Sequence, residues 1–495
     1  MNKIAKFFTS SEMDLTSGDT RSLIKKFLMF TLPILLVGVL ELLYNSFDLI
    51  VVQQHDGAIY GAAVGANGSL IALITNALMG LSIGVNVVVS RYYGKKDKEG
   101  ASNAAHTGIL IAFIGGIILA IIGFFLSRQF LILMNVNEQY LDIASNYLKI
   151  YFLSMPFMMV YNFGASVFKG IGDSIKPLIF LLISGIVNVG LNYTFVYAFN
   201  LKEVGVALGT VISQALSAIL IIVFLYTNKG FINLRFKNLK FHKHELLKIL
   251  QIGIPSGLEG VIFSISNVLL QASVNAWPPD VVTANTDAAN IESYTYTSMY
   301  AVASATPAFI SANFGRGFKE NVKKIHIISL ITTFLVGFIL GYTSYLLSDQ
   351  LLKIYMGSNF DVDIVKYAKE RMIVVLFTYF LCGLMDTETS VLRGLGHSII
   401  PTVFTFFGCC VFRIIWDKFV YSPVEGNPMH SLAVLYMCYP ISWLFSFSLQ
   451  LVSYFIIKKK WMKRCDENLI KFEKRYMNKQ EDNQSLNIEL KSQNL

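Results

Sequence analysis

The sequence predicts an all-α polytopic membrane protein, with twelve transmembrane helices in two six-helix bundles, and three observations carry that prediction. Only 15% of the 495 residues are charged and 54% are hydrophobic, whereas a water-facing surface draws on about 25% charged residues. Mean hydropathy is +0.54. The apolar residues also gather in blocks of about 20 or more, long enough to cross ~30 Å of hydrocarbon at ~1.5 Å per residue. Inside such a block only a helix satisfies its own backbone, because an open strand leaves polar groups bare in lipid.

In chain order, residues 1–26 form a polar N-terminal segment, and the apolar block behind it is too long for a signal peptide. Six spans follow, at about 27–52, 62–90, 104–126, 141–168, 177–199 and 204–227, so the first bundle occupies 27–228. A basic linker, 229–247, carries NKGFINLRFKNLKFHKHE and is expected on the anionic inner leaflet. The second bundle, 248–457, has spans at about 248–274, 284–311, 325–347, 366–391, 398–420 and 431–457. Residues 458–495 make a charged tail, read as a short interfacial helix followed by disorder.

The basic residues orient the chain. Alternate connections and the termini hold 32 of the 41 Lys and Arg, among them Arg91, Lys95, Lys96, Lys169, Arg316, Lys319, Arg393 and Lys458–Lys460. The positive-inside rule therefore places both termini in the cytoplasm, in a multi-pass chain of the cell membrane. The net charge of +9 is spent on that asymmetry, which removes the argument for a nucleic-acid partner. The five cysteines form no CxxC pair and read as small packing residues.

The halves repeat one another. Pro33 precedes Asn45 and Pro255 precedes Asn267 at the same spacing; SRYYGKKDKE reappears as SANFGRGFKE, and KGIGDSIKP (Lys169–Pro177) as RGLGHSIIP (Arg393–Pro401). With six spans per half, both repeats enter the membrane from the same side. Their pseudo-two-fold axis then runs along the membrane normal, as in carriers whose halves rock about a central site. Pro33 and Pro255 are expected kinks, as fixed bends or as hinges.

These residues resemble a known family. MDLTSG, LPILLVGVLELLYNSFDLIVV and AAVGA in the first half, with GIPSGLEGVIFSISNVLLQ, ANTDAANIES and LCGLMD...LRGLGHS in the second, are similar to the multidrug and toxic compound extrusion (MATE) family over nearly all of residues 13–457. The resemblance implies a V-shaped pair of bundles exporting organic cations by alternating access, driven by inward H+ or Na+.

Charge inside the spans marks the expected mechanism, since a mid-bilayer charge costs at least ~2.5–3.5 kcal/mol. Glu41, Asn45 and Asp48 fall on one face of the first span. A carboxylate at Asp48 takes up a proton or supplies oxygen to Na+, and either event neutralises it. The resemblance places Asp48 at the family's coupling-ion aspartate, with Asn162, Asn188, Asn192 and Thr210 around it. Asn192 stands where several prokaryotic members have an aspartate, so a charge is lost there. In the second half the matching position is Leu270. Glu259, Asn267, Glu292, Asp386 and Glu388 lie in the spans instead, and Arg413, a basic exception with Lys149, is an expected ion-pair partner of Asp386 or Glu259. With Glu41 and Asn45, residues Glu259, Asn267, Glu292, Asp386 and Arg413 are the expected substrate cavity for lipophilic cations.

The sequence contains neither a Walker motif nor HExxH, so neither ATP hydrolysis nor other enzyme chemistry is expected. No cofactor is expected beyond the coupling ion, no metal beyond Na+ at Asp48, and no obligatory protein partner for a monomer in the lipid bilayer. The alternative is a flippase for lipid-linked oligosaccharide or peptidoglycan precursors, which would need cations in its cavity to hold pyrophosphate.

Overall fold

The computed structural model describes residues 12–16, 18–227, 230–356, 361–422, 424, 427 and 429–493. Among them every regular element is a helix and there is no strand. Asp19 caps the first helix, α1 (Thr20–Asp56), by accepting from the Ser22 N–H at 3.0 Å. Gly57, at φ 93°, then breaks the chain before α2 (Ala58–Ala66), a conformation that only glycine adopts without strain. The first half continues with α3 (Gly68–Gly94), α4 (Lys98–Leu133), α5 (Glu138–Phe152), α6 (Met155–Gly170), α7 (Ile175–Tyr193) and α8 (Lys202–Thr227).

The second half holds α9 (Lys243–Val274), α10 (Pro279–Arg316), α11 (Lys319–Leu346), α12 (Ser348–Met356), α13 (Val362–Gly394), α14 (Ile399–Thr405), α15 (Phe412–Phe419) and α16 (Leu432–Gln493). A π-helical stretch, Phe406–Val411, joins α14 to α15 as one span.

Among the described residues, ten helices are long and apolar enough to cross a membrane, and α5 with α6 makes an eleventh, bent by 48°. The fourth expected span is therefore broken at Leu153–Ser154, where Pro156 follows in the first turn of α6. The eighth expected span, α10, is too polar to pass on composition, with Asn285, Asp287, Asn290 and Glu292 in its first half. It is packed between α1, α3 and α13, so protein rather than lipid meets much of its surface. This is the expected exception, since polar spans face bundle interiors.

The repeat is visible in the backbone. Gly172 and Gly396 both take positive φ, 85° and 93°. Gly172 N–H donates to Lys169 O at 3.1 Å and Asp173 N–H to Phe168 O at 2.9 Å; Gly396 and His397 do the same to Arg393 O and Leu392 O, each at 2.8 Å. Each half thus ends the same helix with the same glycine-dependent cap.

The halves meet along α3, α9 and α10, through glycines at helical spacing. A Cβ on Gly80, Gly84 or Gly94 would overlap backbone oxygens of Ser256, Ile249 or Ala312, and one on Gly253 or Gly257 would crowd Leu81 O or Ala77 O. Small residues let backbones approach this closely. Side-chain bonds across the seam run from Asn76 Nδ2 to Ser264 Oγ (3.2 Å) to Ser311 Oγ on Val87 O (2.7 Å) and Arg91 Nη2 on Gly394 O (3.1 Å). The seam is thus closed at the ends rich in Arg and Lys. The N-terminal segment strengthens it: Met13 N–H donates to Gly172 O at 2.9 Å, and Asn313 of α10 donates to Leu15 O at 2.9 Å.

The tail departs from expectation. Instead of a short helix followed by disorder, α16 runs unbroken from the last span to Gln493. Trp461 and Cys465 are fully buried, Lys319 pairs with Asp466 at 2.9 Å, and Arg475 with Asp97 at 3.1 Å. Apolar burial and paired charges on one face explain why so charged a segment stays helical.

Candidate functional site

A cavity of about 460 Å³ lies between the halves, lined from the first by Glu41, Asp48, Asn162 and Lys169 and from α10 by Tyr296, Tyr300 and Ser304. Asp48 is 8% exposed. Its Oδ1 accepts from Asn192 Nδ2 at 2.5 Å and its Oδ2 from Thr210 Oγ1 at 3.3 Å. Asn192 Nδ2 also donates to Asn188 Oδ1 at 3.3 Å, and Asn188 Nδ2 to Ser213 Oγ at 3.3 Å. One turn separates Asn188 from Asn192 on α7, which is why the two amides bond each other while Asn192 alone reaches the acid. Gly209 of α8 makes room, since a Cβ there would overlap Asn192 Oδ1.

Among the described residues no Lys, Arg or His lies within ion-pair distance of Asp48. Four of the five residues expected at the coupling site therefore share one hydrogen-bonded chain. The fifth, Asn162, lines the same cavity but donates to Met158 O of its own helix at 3.0 Å. The Asn45 side chain lies outside the described residues. Pro33 and Pro255 sit inside continuous helices, α1 and α9.

Lys169, counted from sequence as a loop cation, closes α6 and lines this cavity, its Nζ donating to Ser304 Oγ of the other half at 3.4 Å. The repeat-related Arg393 instead binds Glu259: Nη2 donates to Oε2 at 2.8 Å, while Thr405 Oγ1 donates to Oε1 at 3.0 Å. Glu292 is held by Arg371, whose Nη2 and Nε donate at 2.6 and 3.0 Å. Glu388 meets His326 Nε2 at 2.6 Å. Asp386 lies beside Glu259 and Arg393, with Oδ2 buried and unbonded among the described residues.

The expected partnership of Arg413 with Asp386 or Glu259 is not what forms. Arg413 bonds Ser442, Ser266 and Asn267. Asn267 is eight residues beyond Glu259 on α9, about 12 Å along the axis, and Arg393 already occupies Glu259. Arg371 was missed because it stands near the end of a span, where a cation usually reaches water. Nothing in the sequence sets it apart from Lys366 and Lys369 beside it; in the structure Tyr436 and Tyr439 lie 5.3 and 5.4 Å from its guanidinium.

The sequence profile of the MatE family matches residues 33–194 and again 255–418. The two matches begin on Pro33 and Pro255, the prolines that mark the repeat. The chain belongs to the multidrug and toxic compound extrusion (MATE) family. It is a multi-pass membrane protein of that family's helical fold. Among relatives, it is 25% identical over 409 residues to the "Probable multidrug resistance protein YoeA" of Bacillus subtilis, covering 81% of this chain and 87% of that one. It is 23% identical over 419 residues to the "Multidrug export protein MepA" of Staphylococcus saprophyticus, covering 81% and 91%. A crystal structure of MATE in complex with MaL6 superposes with a TM-score of 0.84 at 19% identity, over 92% of this chain and 100% of that one. An outward-facing MATE transporter of the MOP superfamily gives 0.80 at 19% identity, over 93% and 99%. The MATE fold is thus shared over nearly the whole chain.

Proposed function

We propose that this MATE-family protein exports lipophilic organic cations in exchange for protons, and that Asp48 is the residue the proton neutralises. The observation that carries this is the Asp48 environment: a buried carboxylate facing an amide N–H and a hydroxyl, with no Lys, Arg or His within ion-pair distance among the described residues. Two donors hold an ionised carboxylate when it is empty of ligand. A Na+ site needs converging oxygen acceptors, and Asn192 turns its nitrogen toward Asp48. Protonation and substrate binding then compete for a cavity shared with Glu41, and the loss of charge biases one of two arrangements of the halves.

The halves are assigned to 27–228 and 248–457, with 1–26, the linker 229–247 and the tail 458–495 on the cytoplasmic side, and the protein acts as a monomer. The closed seam at the basic ends is then the cytoplasmic gate, and the cavity opens outward. Substrate contacts are assigned to Glu41, Asn45 and the Tyr296 and Tyr300 rings, which offer cation–π surfaces. In the second half Asp386 is the acid left for cargo, because Glu259 and Glu292 are neutralised by Arg393 and Arg371. Multidrug relatives support this reading over lipid-linked cargo, as does a central cavity with two acids against one Lys. Ethidium accumulation in cells decides it: wild type should lower accumulation and Asp48→Asn should not. Equal behaviour of the two would sink the role given to Asp48.

A further inference from the structure

A second cavity, of about 620 Å³, lies outside the cleft, between α9, α15 and the loop before α16. Arg413 lines it and is 2% exposed. Its guanidinium donates from Nε to Ser442 Oγ at 3.0 Å and from Nη1 to Ser266 Oγ and Asn267 Oδ1, both at 3.1 Å. All three acceptors are neutral, and Nη2 finds none among the described residues.

The other two buried arginines of this half, Arg371 and Arg393, each hold a glutamate, at 2.6 and 2.8 Å. Arg413 holds no carboxylate among the described residues. A buried charge without a counter-ion is costly, and the Tyr439 ring at 4.6 Å offsets only part of that cost. The one acid among the described lining residues, Asp417, accepts from Ser273 Oγ at 2.5 Å, and Lys418 in the same lining balances its charge, so the lining keeps a net positive charge from the arginine.

The rest of the wall fits an amphiphile. Trp277 stacks on His430 with centroids 4.5 Å apart, and its Nε1 donates to Tyr421 Oη at 2.9 Å, forming a flat aromatic wall. The rim carries Leu269 and Ile414, 44% and 42% exposed, where an apolar chain could lie against the bilayer.

We propose that this pocket binds an amphiphile with an oxyanion headgroup, carboxylate or phosphate, which supplies the counter-ion that Arg413 lacks. The site is separate from the central cavity, does not depend on the transport reading, and selects the opposite charge from the proposed cargo.

Quenching of Trp277 tests it, using full-length protein in phosphatidylcholine nanodiscs and taking the emission component lost in Trp277→Phe. Brominated dodecanoate, brominated phosphatidylglycerol or both should quench it saturably, and brominated phosphatidylcholine should not. A response to the phospholipid alone assigns the occupant to the bilayer, and a response to dodecanoate alone assigns it to a free amphiphile. Arg413→Gln should weaken the response about tenfold or more, as loss of a charge-assisted hydrogen bond does, while Arg413→Lys keeps part of it. If Arg413→Gln does not fold, wild type alone decides: dodecyl sulfate should displace brominated dodecanoate and dodecyltrimethylammonium should not. Equal quenching by phosphatidylcholine, an unchanged Arg413→Gln response, or equal displacement by the cationic detergent would overturn the proposal.

Discussion

Asn192 donates its side-chain N–H to the Asp48 carboxylate at 2.5 Å, bridging α7 to α1. The bond fixes how the cavity's buried acid is presented, and it is made by the residue that, on the family resemblance, stands in place of an aspartate. With one carboxylate instead of two, the site suits the proton proposed above to neutralise it.

Restoring the second acid should change the ion. Asn192→Asp is expected to make substrate transport respond to an imposed Na+ gradient, where wild type responds only to a pH gradient. Asn192→Leu should keep the fold and weaken proton-driven transport by about tenfold or more, the usual effect of losing a hydrogen bond to a charged group. Vesicle flux assays under each gradient separate these outcomes.

Gly209 should be required for the same reason. Gly209→Val is expected to push Asn192 off Asp48 and to mimic Asn192→Leu in transport, at an overpacking cost of about 1–3 kcal/mol. A variant that transports normally would show that the Asn192–Asp48 bond is dispensable.

The Arg371–Glu292 pair is expected to matter for stability. Glu292→Gln leaves Arg371 buried beside a neutral partner and should cost about 3–5 kcal/mol, whereas replacing both by well-packed apolar residues should be close to neutral. Thermal unfolding in detergent of the single and double variants measures the difference.

The seam glycines predict a conformational effect. A leucine at Gly84 cannot fit against Ile249 O, so Gly84→Leu should part α3 from α9 at the basic end. Spin labels on Lys95 and Lys319 should then report a longer distance than in the parent protein.

The tail contact should be acid-sensitive. Burial pushes the Asp97 carboxyl up, but hydrogen bonds from Arg475 and the Gly100 N–H outweigh it and hold the group below its ordinary 3.8. A lowered pKa stabilises the docked tail above that value, and the contribution disappears as pH falls through the lowered one. Hydrogen exchange in α16 should therefore rise in wild type only below about pH 4, and in Asp97→Asn it should already be raised at neutral pH.

The spans and the repeat were legible in the sequence because each follows from local spacing, as apolar blocks and matched motifs. The residues gathered round Asp48 from other helices came from the family resemblance, spacing giving only that Asn188 and Asn192 share one face. Partner choice across helices was not. Arg413 and Glu259 share the membrane interior, but a displacement of two turns separates them; Arg393 reads from sequence as a connection charge, and nothing in the sequence pairs Arg371 with Glu292. Lys169 was missed likewise, since its motif marks a helix end without showing which way the side chain turns. The glycines of α3 and α9 carried a small-xxx-small pattern that would have located the seam. The tail was misread because its composition is polar, while docking against Arg316 and Lys319 depends on tertiary contacts.

The most direct test of proton coupling at Asp48 is ethidium transport in proteoliposomes under a pH gradient and a Na+ gradient imposed separately. The pH gradient alone should drive transport by wild type, and neither gradient should drive it in Asp48→Asn. Transport by Asp48→Asn at the wild-type rate, or wild-type transport driven by Na+ alone, would contradict the account.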